Sequence, residues 1–501
     1  MTITATPAQQ PIGSPAEPTS NRKFAFLLLA LALYAAVLLA PTPAGLSASG
    51  QVALGLLVLV IVLWISECVS PAASAIILTG MAVVGLIGKP LTEGAAPMNS
   101  TQALAQMLGG FSSSAVLLVA GALFLAVALK ITGLDRRIAL LVMSRIGISP
   151  ARLVLGAMLV GFVLALFIPS ATARVGAVIP IMVGITTALG LPVGSTLGAA
   201  LLIVTAQACS IFNMGIKTAA AQNLISLSFM NQAFGHDITW GGWFVTALPF
   251  TLSMCAVLFL IAVFLLRPIV PEPREAEARL RQQLAELGPV TGKEKRLIAV
   301  AVGLLLLWST EGLHPLDTTT TTQLGIALLL MPKIGVMNWS EAEKLVPWGT
   351  VVLFAASISL GTLLSRTGAA GWLANITLGQ LGLEAMPLVG IIAALSVFNI
   401  VLHLGFASAT GLASTLIPIM LAFTQTLSMG PDTAFGIVMI QAMVVSFGFI
   451  LPTNAPQNML CYGTGAFTMG QFVKVGLPLT MAGLLLILLF SATIWPLMGV
   501  L

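Results

Sequence analysis

Long apolar blocks, separated by short polar or Gly- and Pro-bearing breaks, recur from near residue 24 to the C-terminus; those at 24–40, 52–65 and 479–497 are the cleanest. A helix needs roughly 20 residues to cross a hydrocarbon core. The recurrence therefore predicts an all-α polytopic membrane protein, with about 11 transmembrane helices by the span count developed below. One polar stretch stands apart, 267–296, which carries Arg267, Arg274, Arg279, Arg281, Lys293, Lys295 and Arg296 around a helix-favouring run at 275–287. It reads as a cytosolic linker between an N-terminal membrane half, 23–266, and a C-terminal half, 297–501. Residues 1–22, rich in Thr, Ala, Pro and Ser, read as a disordered cytosolic tail. Arg22 and Lys23 before the first apolar block place the N-terminus inside under the positive-inside rule, hence a multi-pass inner-membrane protein.

The two halves share words at a nearly constant spacing. Residues 169–182 (PSATARVGAVIPIM) match 407–420 (ASATGLASTLIPIM), an offset of 408 − 170 = 238. Upstream, 115–133 pairs with 350–368, both ending in Thr-Gly; downstream, 218–223 (TAAAQN) pairs with 453–458 (TNAPQN), and 244–251 (FVTALPFT) echoes 472–480 (FVKVGLPLT). Matched blocks in one order indicate an internal duplication. With one extra helix at the start and five spans in each copy, the second copy is inverted relative to the first. Such folds hold substrate near the midplane, where interrupted helices of the two copies meet.

The interruptions supply the candidate site. Ser170, Ala171 and Thr172, and their counterparts Ser408, Ala409 and Thr410, are small or hydroxyl-bearing residues in apolar context, as expected at the tips of re-entrant helical hairpins. A second pair of breaks, 213–223 and 448–458, reads as unwound helix and contributes Thr218, Asn223, Thr453, Asn454 and Asn458. Exposed amides and helix N-termini there suit a carboxylate. Two cations fall at these depths, Arg174 and Lys217, where the second half has Leu412 and Pro452. Intramembrane charge is costly and functional by default, so Arg174 and Lys217 are candidates for anion binding, at least one of them holding the anion, Arg174 being suited to bidentate carboxylate contact; snorkelling or a buried pair with a carboxylate is the alternative. His403 before the second tip is a candidate for proton coupling, with a packing role as the alternative.

Composition narrows the classes. The chain has 501 residues, 58% hydrophobic and 7% charged, with a formal charge of +5. The Lys and Arg residues sit mostly in loops, where they set orientation rather than mark nucleic-acid binding. Cys68, Cys209, Cys255 and Cys461 form neither a CxxC pair nor a Cys/His cluster, so no disulfide framework, metal centre or cofactor is expected. No metalloprotease, triad or P-loop arrangement is present, which excludes the common membrane-enzyme classes.

At these residues the chain resembles the divalent anion/sodium symporter (DASS) family of dicarboxylate, citrate and sulfate transporters. That family carries Ser-Asn-Thr at each hairpin tip, where this chain has Ser170-Ala171-Thr172 and Ser408-Ala409-Thr410. Its late Pro-Val-Gly-Thr-Pro-Pro-Asn motif, followed by Gly-Ser-Gly, is similar to residues 452–458 with Gly463-Thr464-Gly465. The resemblance implies hairpin serines and threonines in contact with substrate carboxylates, a homodimer, and a transport part that moves as a body in an elevator motion. It also implies sodium sites near Ser170 and Ser408, built partly from the motif asparagines; both are alanine here, Ala171 and Ala409. Thr172-Ala173-Arg174, and Phe406-Ala407-Ser408 after His403, are instead reminiscent of the branch of citrate/succinate exchangers and oxoglutarate/malate translocators. Two readings follow: exchange of di- or tricarboxylates, with Arg174 as a fixed counter-charge, or sodium- or proton-coupled symport of a divalent anion.

Overall fold

The computed structural model describes residues 20–92, 94–235, 237–270, 273–427 and 429–501; the predicted tail therefore lies, through residue 19, outside the described residues. The first helix, α1 (Ser20–Leu39), packs on α2 (Ala48–Ser66). Then follow α3 (Pro71–Leu86), the short α4 (Ser100–Leu108), α5 (Ser114–Thr132), α6 (Leu134–Ile146), α7 (Pro150–Ala165) and α8 (Ala171–Ala188). The first half closes with α9 (Thr196–Gly215), α10 (Ala221–Phe234) and α11 (Trp240–Ile261). A linker helix, α12 (Pro273–Glu286), leads to α13 (Gly292–Ser309), α14 (Thr318–Leu330), the short α15 (Trp339–Leu345), α16 (Trp348–Arg366) and α17 (Ala369–Thr377). Last come α18 (Leu388–His403), α19 (Ala409–Thr426), α20 (Pro431–Val444), α21 (Pro456–Tyr462), α22 (Met469–Ala492) and α23 (Ile494–Leu497). Among the described residues there is no strand.

Local chemistry explains these boundaries. Ser47, Ser70, Ser113, Ser149, Ser195 and Thr239 each cap a helix through the side-chain oxygen, satisfying an orphan amide that a lipid environment could not. Gly133 and Gly235 end α5 and α10 at φ of 71° and 74°, a conformation a Cβ disfavours. The element order of α2 to α11 recurs from α13 to α22. Within it α7 and α18 each have 16 residues and α8 and α19 each have 18. Pro180 and Pro418 interrupt α8 and α19 at matching places.

Among the described residues eight helices are long and apolar enough to cross a membrane, and α3, α7, α18 and α20 are apolar but shorter. α13 is excluded from the long apolar set by the cations of its first turns, because the capping box between Thr291 and Glu294 starts the helix at Gly292, inside the predicted linker. Outward side chains such as Val84 and Leu485, 70% and 64% exposed, make an apolar surface that only lipid accommodates. The chain is thus a polytopic membrane protein. α9 is the converse, buried from Leu197 to Gly215.

Packing divides into two cores. One joins α1 to α4 with α16 and α17, through Leu56, Leu59, Leu78, Leu360 and Leu364. The other is larger and centred on α9, and contains both helix pairs, α7/α8 and α18/α19. In it α8 packs on α21, and α19 on α10, so each pair leans on the broken helix of the opposite half. Glycines permit close approaches here: a Cβ on Gly361 would lie 2.1 Å from the Phe229 ring, and one on Gly476 would lie 1.9 Å from the Phe449 carbonyl oxygen.

Arg137 ties the linker to the bundle. Arg137 on α6 donates to Glu294 Oε1 at 2.5 Å and to the carbonyls of Gly288 and Leu287 at 2.9 and 3.1 Å, while α12 packs on α6 and α8. Charge-assisted bonds of this kind contribute about 2 kcal/mol or more together. Arg137→Ala is therefore expected to speed tryptic cleavage at Arg274 and Arg281 about tenfold in limited digestion, with cleavage elsewhere unchanged.

Candidate functional site

Both predicted hairpins are present. α7 and α8 meet at Ser170, and α18 and α19 meet at Ser408; the two serines share one extended conformation, φ/ψ of −137°/113° and −140°/118°. Each serine Oγ accepts from the amide three residues on, Ala173 N at 3.3 Å and Gly411 N at 3.4 Å. The hydroxyls are therefore helix caps that keep an O–H free to donate. Ser170, Thr172, Ser408, Ala409 and Thr410 are half-buried, and Ala171 is buried.

The unwound segments match as closely. α9 breaks into a single 3₁₀ turn, Lys217–Ala219, before α10; the second break carries the turn Pro452–Asn454 before α21. Ala220 and Ala455 follow at φ/ψ of −149°/142° and −154°/140°. Equivalent asparagines hold both breaks open: Asn223 Nδ2 donates to Asn213 O at 2.6 Å, and Asn458 Nδ2 to Gly448 O at 2.8 Å. Thr453 is exposed, whereas Thr218 is buried and its hydroxyl accepts from the Trp240 indole at 3.1 Å.

Each tip is tied to its own unwound segment, by different chemistry in the two halves. In the first, the fully buried Arg174 donates through Nη1 to Ile168 O at 2.6 Å and Ala219 O at 2.7 Å, and through Nη2 to Cys209 O at 3.1 Å and to Asn213 Oδ1. Among the described residues no carboxylate pairs with it. In the second, Asn454 Nδ2 donates to His403 O at 2.7 Å and Phe406 O at 3.5 Å, and His403 Nε2 lies 3.3 Å from Asn454 O. By the sequence offsets Phe406 corresponds to Ile168 and Asn454 to Ala219. The carbonyls that Arg174 grips alone are thus gripped by a histidine and an asparagine in the other copy.

Lys217 lies elsewhere. Its Nζ donates to Ile238 O at 2.6 Å and pairs with Asp237 at 3.3 Å, and it is the one predicted site residue that lines a cavity of about 710 Å³. That cavity is bordered by Ser113, Asn231, Asp237, Glu311 and Arg366. Sequence reading set Lys217 among few acids; the fold brings Asp237 to it from the start of α11. Also missed were Gln222 and Gln457, which bond across the halves to Ser446 at 3.2 Å and Ser210 at 3.0 Å. Their signal was visible, since both lie in the duplicated Gln-Asn pair.

Two hairpins facing two broken helices, in an all-helical bundle with an apolar girdle, define a membrane transporter rather than an enzyme. The chain matches the sodium:sulfate symporter transmembrane region over residues 21–501, and it belongs to that family, the DASS transporters. It is 44% identical over 480 residues to a membrane protein of Cupriavidus necator, covering 94% of this chain and 92% of the other. It is 26% identical over 461 residues to the L-tartrate/succinate antiporter of Escherichia coli K12, covering 90% and 93%. Among solved structures, the YdaH transporter of Alcanivorax borkumensis superposes with a TM-score of 0.55 at 15% identity, over 85% of this chain and 99% of that one. MtrF of Neisseria gonorrhoeae gives 0.51 at 13%, over 95% of each. These last two are likenesses of fold.

Arg174→Leu, which installs the residue of the second half, leaves several buried acceptors without donors and is expected to cost about 3 kcal/mol or more. Asn454→Ala is expected to cost about 1–2 kcal/mol. Thermal unfolding of the detergent-purified variants checks that order.

Proposed function

We propose that the protein is a secondary active exchanger of di- and tricarboxylate-type anions in the bacterial inner membrane, working by an elevator motion. The observation that carries this reading is the Arg174 guanidinium, buried beside the first tip and compensated, among the described residues, by carbonyl and amide dipoles alone. Arginine stays protonated in such settings. A carrier whose empty site keeps that charge crosses the hydrocarbon core at a cost of several kcal/mol; with a bound anion the cost falls. Such a carrier returns loaded, which is exchange.

Sodium fits poorly at the first tip in this reading. A sodium ion there would need the Ile168 and Ala219 carbonyls, and both already accept from Arg174. At the second tip Asn454 and His403 take the matching carbonyls, which favours a positioning role for His403 over proton coupling. The tartrate/succinate antiporter relatives support C4 dicarboxylates as the substrate class.

In the same reading the anion lies between the Ser170/Thr172 and Ser408/Thr410 tips, with amides at the N-termini of α8, α10 and α19 directed at it. Arg174 acts through the field and through tip geometry. Lys217 is the cation that an incoming anion meets in the cavity, where a substrate carboxylate exchanges for Asp237. Eleven crossings in two inverted copies, a cytosolic N-terminus and a homodimer built on the α1 to α4 core complete the proposal.

Uptake of labelled succinate into proteoliposomes tests it. Uptake is expected to require an internal dicarboxylate and to be indifferent to sodium; sodium-dependent or proton-driven uptake into empty vesicles would overturn exchange. Lys217→Gln is expected to raise the apparent KM about tenfold, a loss typical of one charge-assisted contact, with little change in the maximal rate.

A further inference from the structure

Gln222 and Gln457 stand at the same position of the two broken helices, one residue before the asparagines that hold the breaks open. Both are buried. Gln222 Nε2 donates to Ser446 Oγ at 3.2 Å, and Gln457 Nε2 to Ser210 Oγ at 3.0 Å, so the start of the helix after each break is bonded to the residues just ahead of the other half's break. A third bond runs the same way, from Gln207 Nε2 to Phe449 O at 2.9 Å. None of these residues belongs to a hairpin tip, and none is used by the anion contacts proposed above.

Their position gives them leverage. The first tip is fixed to the segment around Ala219 by Arg174, and the second to the segment around Asn454 by Asn454 and His403. Tip, segment, opposite segment and opposite tip are then joined through hydrogen bonds and short runs of backbone, and the glutamine–serine pairs are among the links that cross between halves, with Gln207–Phe449 and the packing of α8 on α21 and α19 on α10. Such links bear on the separation of the two tips. An anion with a carboxylate at each end reads that separation as its own length.

We propose that the Gln222–Ser446 and Gln457–Ser210 pairs set the length of dianion that the transporter accepts, as positioning residues that touch no substrate. The inference rests on the reading that the two tips hold the two ends of one anion. Removing a hydroxyl acceptor loosens the span, so that shorter and longer diacids lose less affinity relative to the best one. Ser→Ala changes volume least, and one neutral hydrogen bond corresponds to about a fivefold effect on an equilibrium.

The test uses full-length protein in proteoliposomes: Ser210→Ala, Ser446→Ala and the double variant, with unlabelled malonate, succinate and glutarate competing against labelled succinate. Wild type is expected to rank the three by length, and the double variant to compress the ratio of best to worst about fivefold or more. Ser446→Thr keeps the acceptor and is expected to keep the wild-type ranking. A merely structural role lowers the maximal rate for every diacid and leaves the ratio alone, and that result overturns the proposal. So does a wild type that takes diacids without ranking them. Should the double variant fail to accumulate, the single variants decide by the same ratio. A wild type that no diacid inhibits instead overturns the substrate reading itself.

Discussion

Placing a guanidinium at hydrocarbon depth costs several kcal/mol unless its donors are met and its charge is answered. Arg174 directs Nη1 and Nη2 to three carbonyls and an asparagine oxygen, while its buried Nε is unpartnered among the described residues; the acceptors come from the tip after α7, the last turns of α9 and the unwound turn after it. Those are the three pieces that make up the first half-site. Because each carbonyl is released from helix geometry or shared with it, the break in α9 and the hairpin tip are satisfied by the same group. The charge is left for dipoles to bear, and a mobile anion is the natural complement. In the proposed function, stability of the half-site and attraction for substrate thus come from a single side chain.

The second copy solves the same backbone problem without a charge. Leu412 replaces Arg174 in sequence, and Asn454 with His403 takes over the equivalent carbonyls. Duplicated backbones require the same acceptors to be met wherever helices break, but they leave open which side chain meets them. Dihedral angles are accordingly conserved between the copies at Ser170/Ser408 and Ala220/Ala455, while the residues gripping them diverge.

That division also marks how much the sequence could disclose. Tips, breaks and their pairing were legible because small and hydroxyl-bearing residues stand out in apolar blocks, and duplication doubles the signal. The bundle class and family were legible for the same reason. The partners of Arg174 were not, since backbone carbonyls leave no trace in residue identity. Asp237 reads as a loop acid until the turn after α10 returns it to Lys217, and Gln222 and Gln457 read as part of a repeated word until the two copies are set face to face. The start of α13 is not read from the edge of the charged run, because a capping box decides where the helix begins.

Asymmetry between otherwise matched half-sites has a consequence for a symmetric ligand. If the two tips hold one diacid, as proposed, its two carboxylates occupy unequal potentials, so most of the long-range attraction is at the Arg174 end and the other end is held by hydroxyls and amides alone. Short-range contacts of that kind depend steeply on distance, whereas the field of a buried charge falls slowly in a low-dielectric surround. In the proposed exchanger the charged half then supplies the affinity common to all anions of the class. On the same proposal the neutral half, placed with the help of bonds that cross between the copies, decides which of them fits.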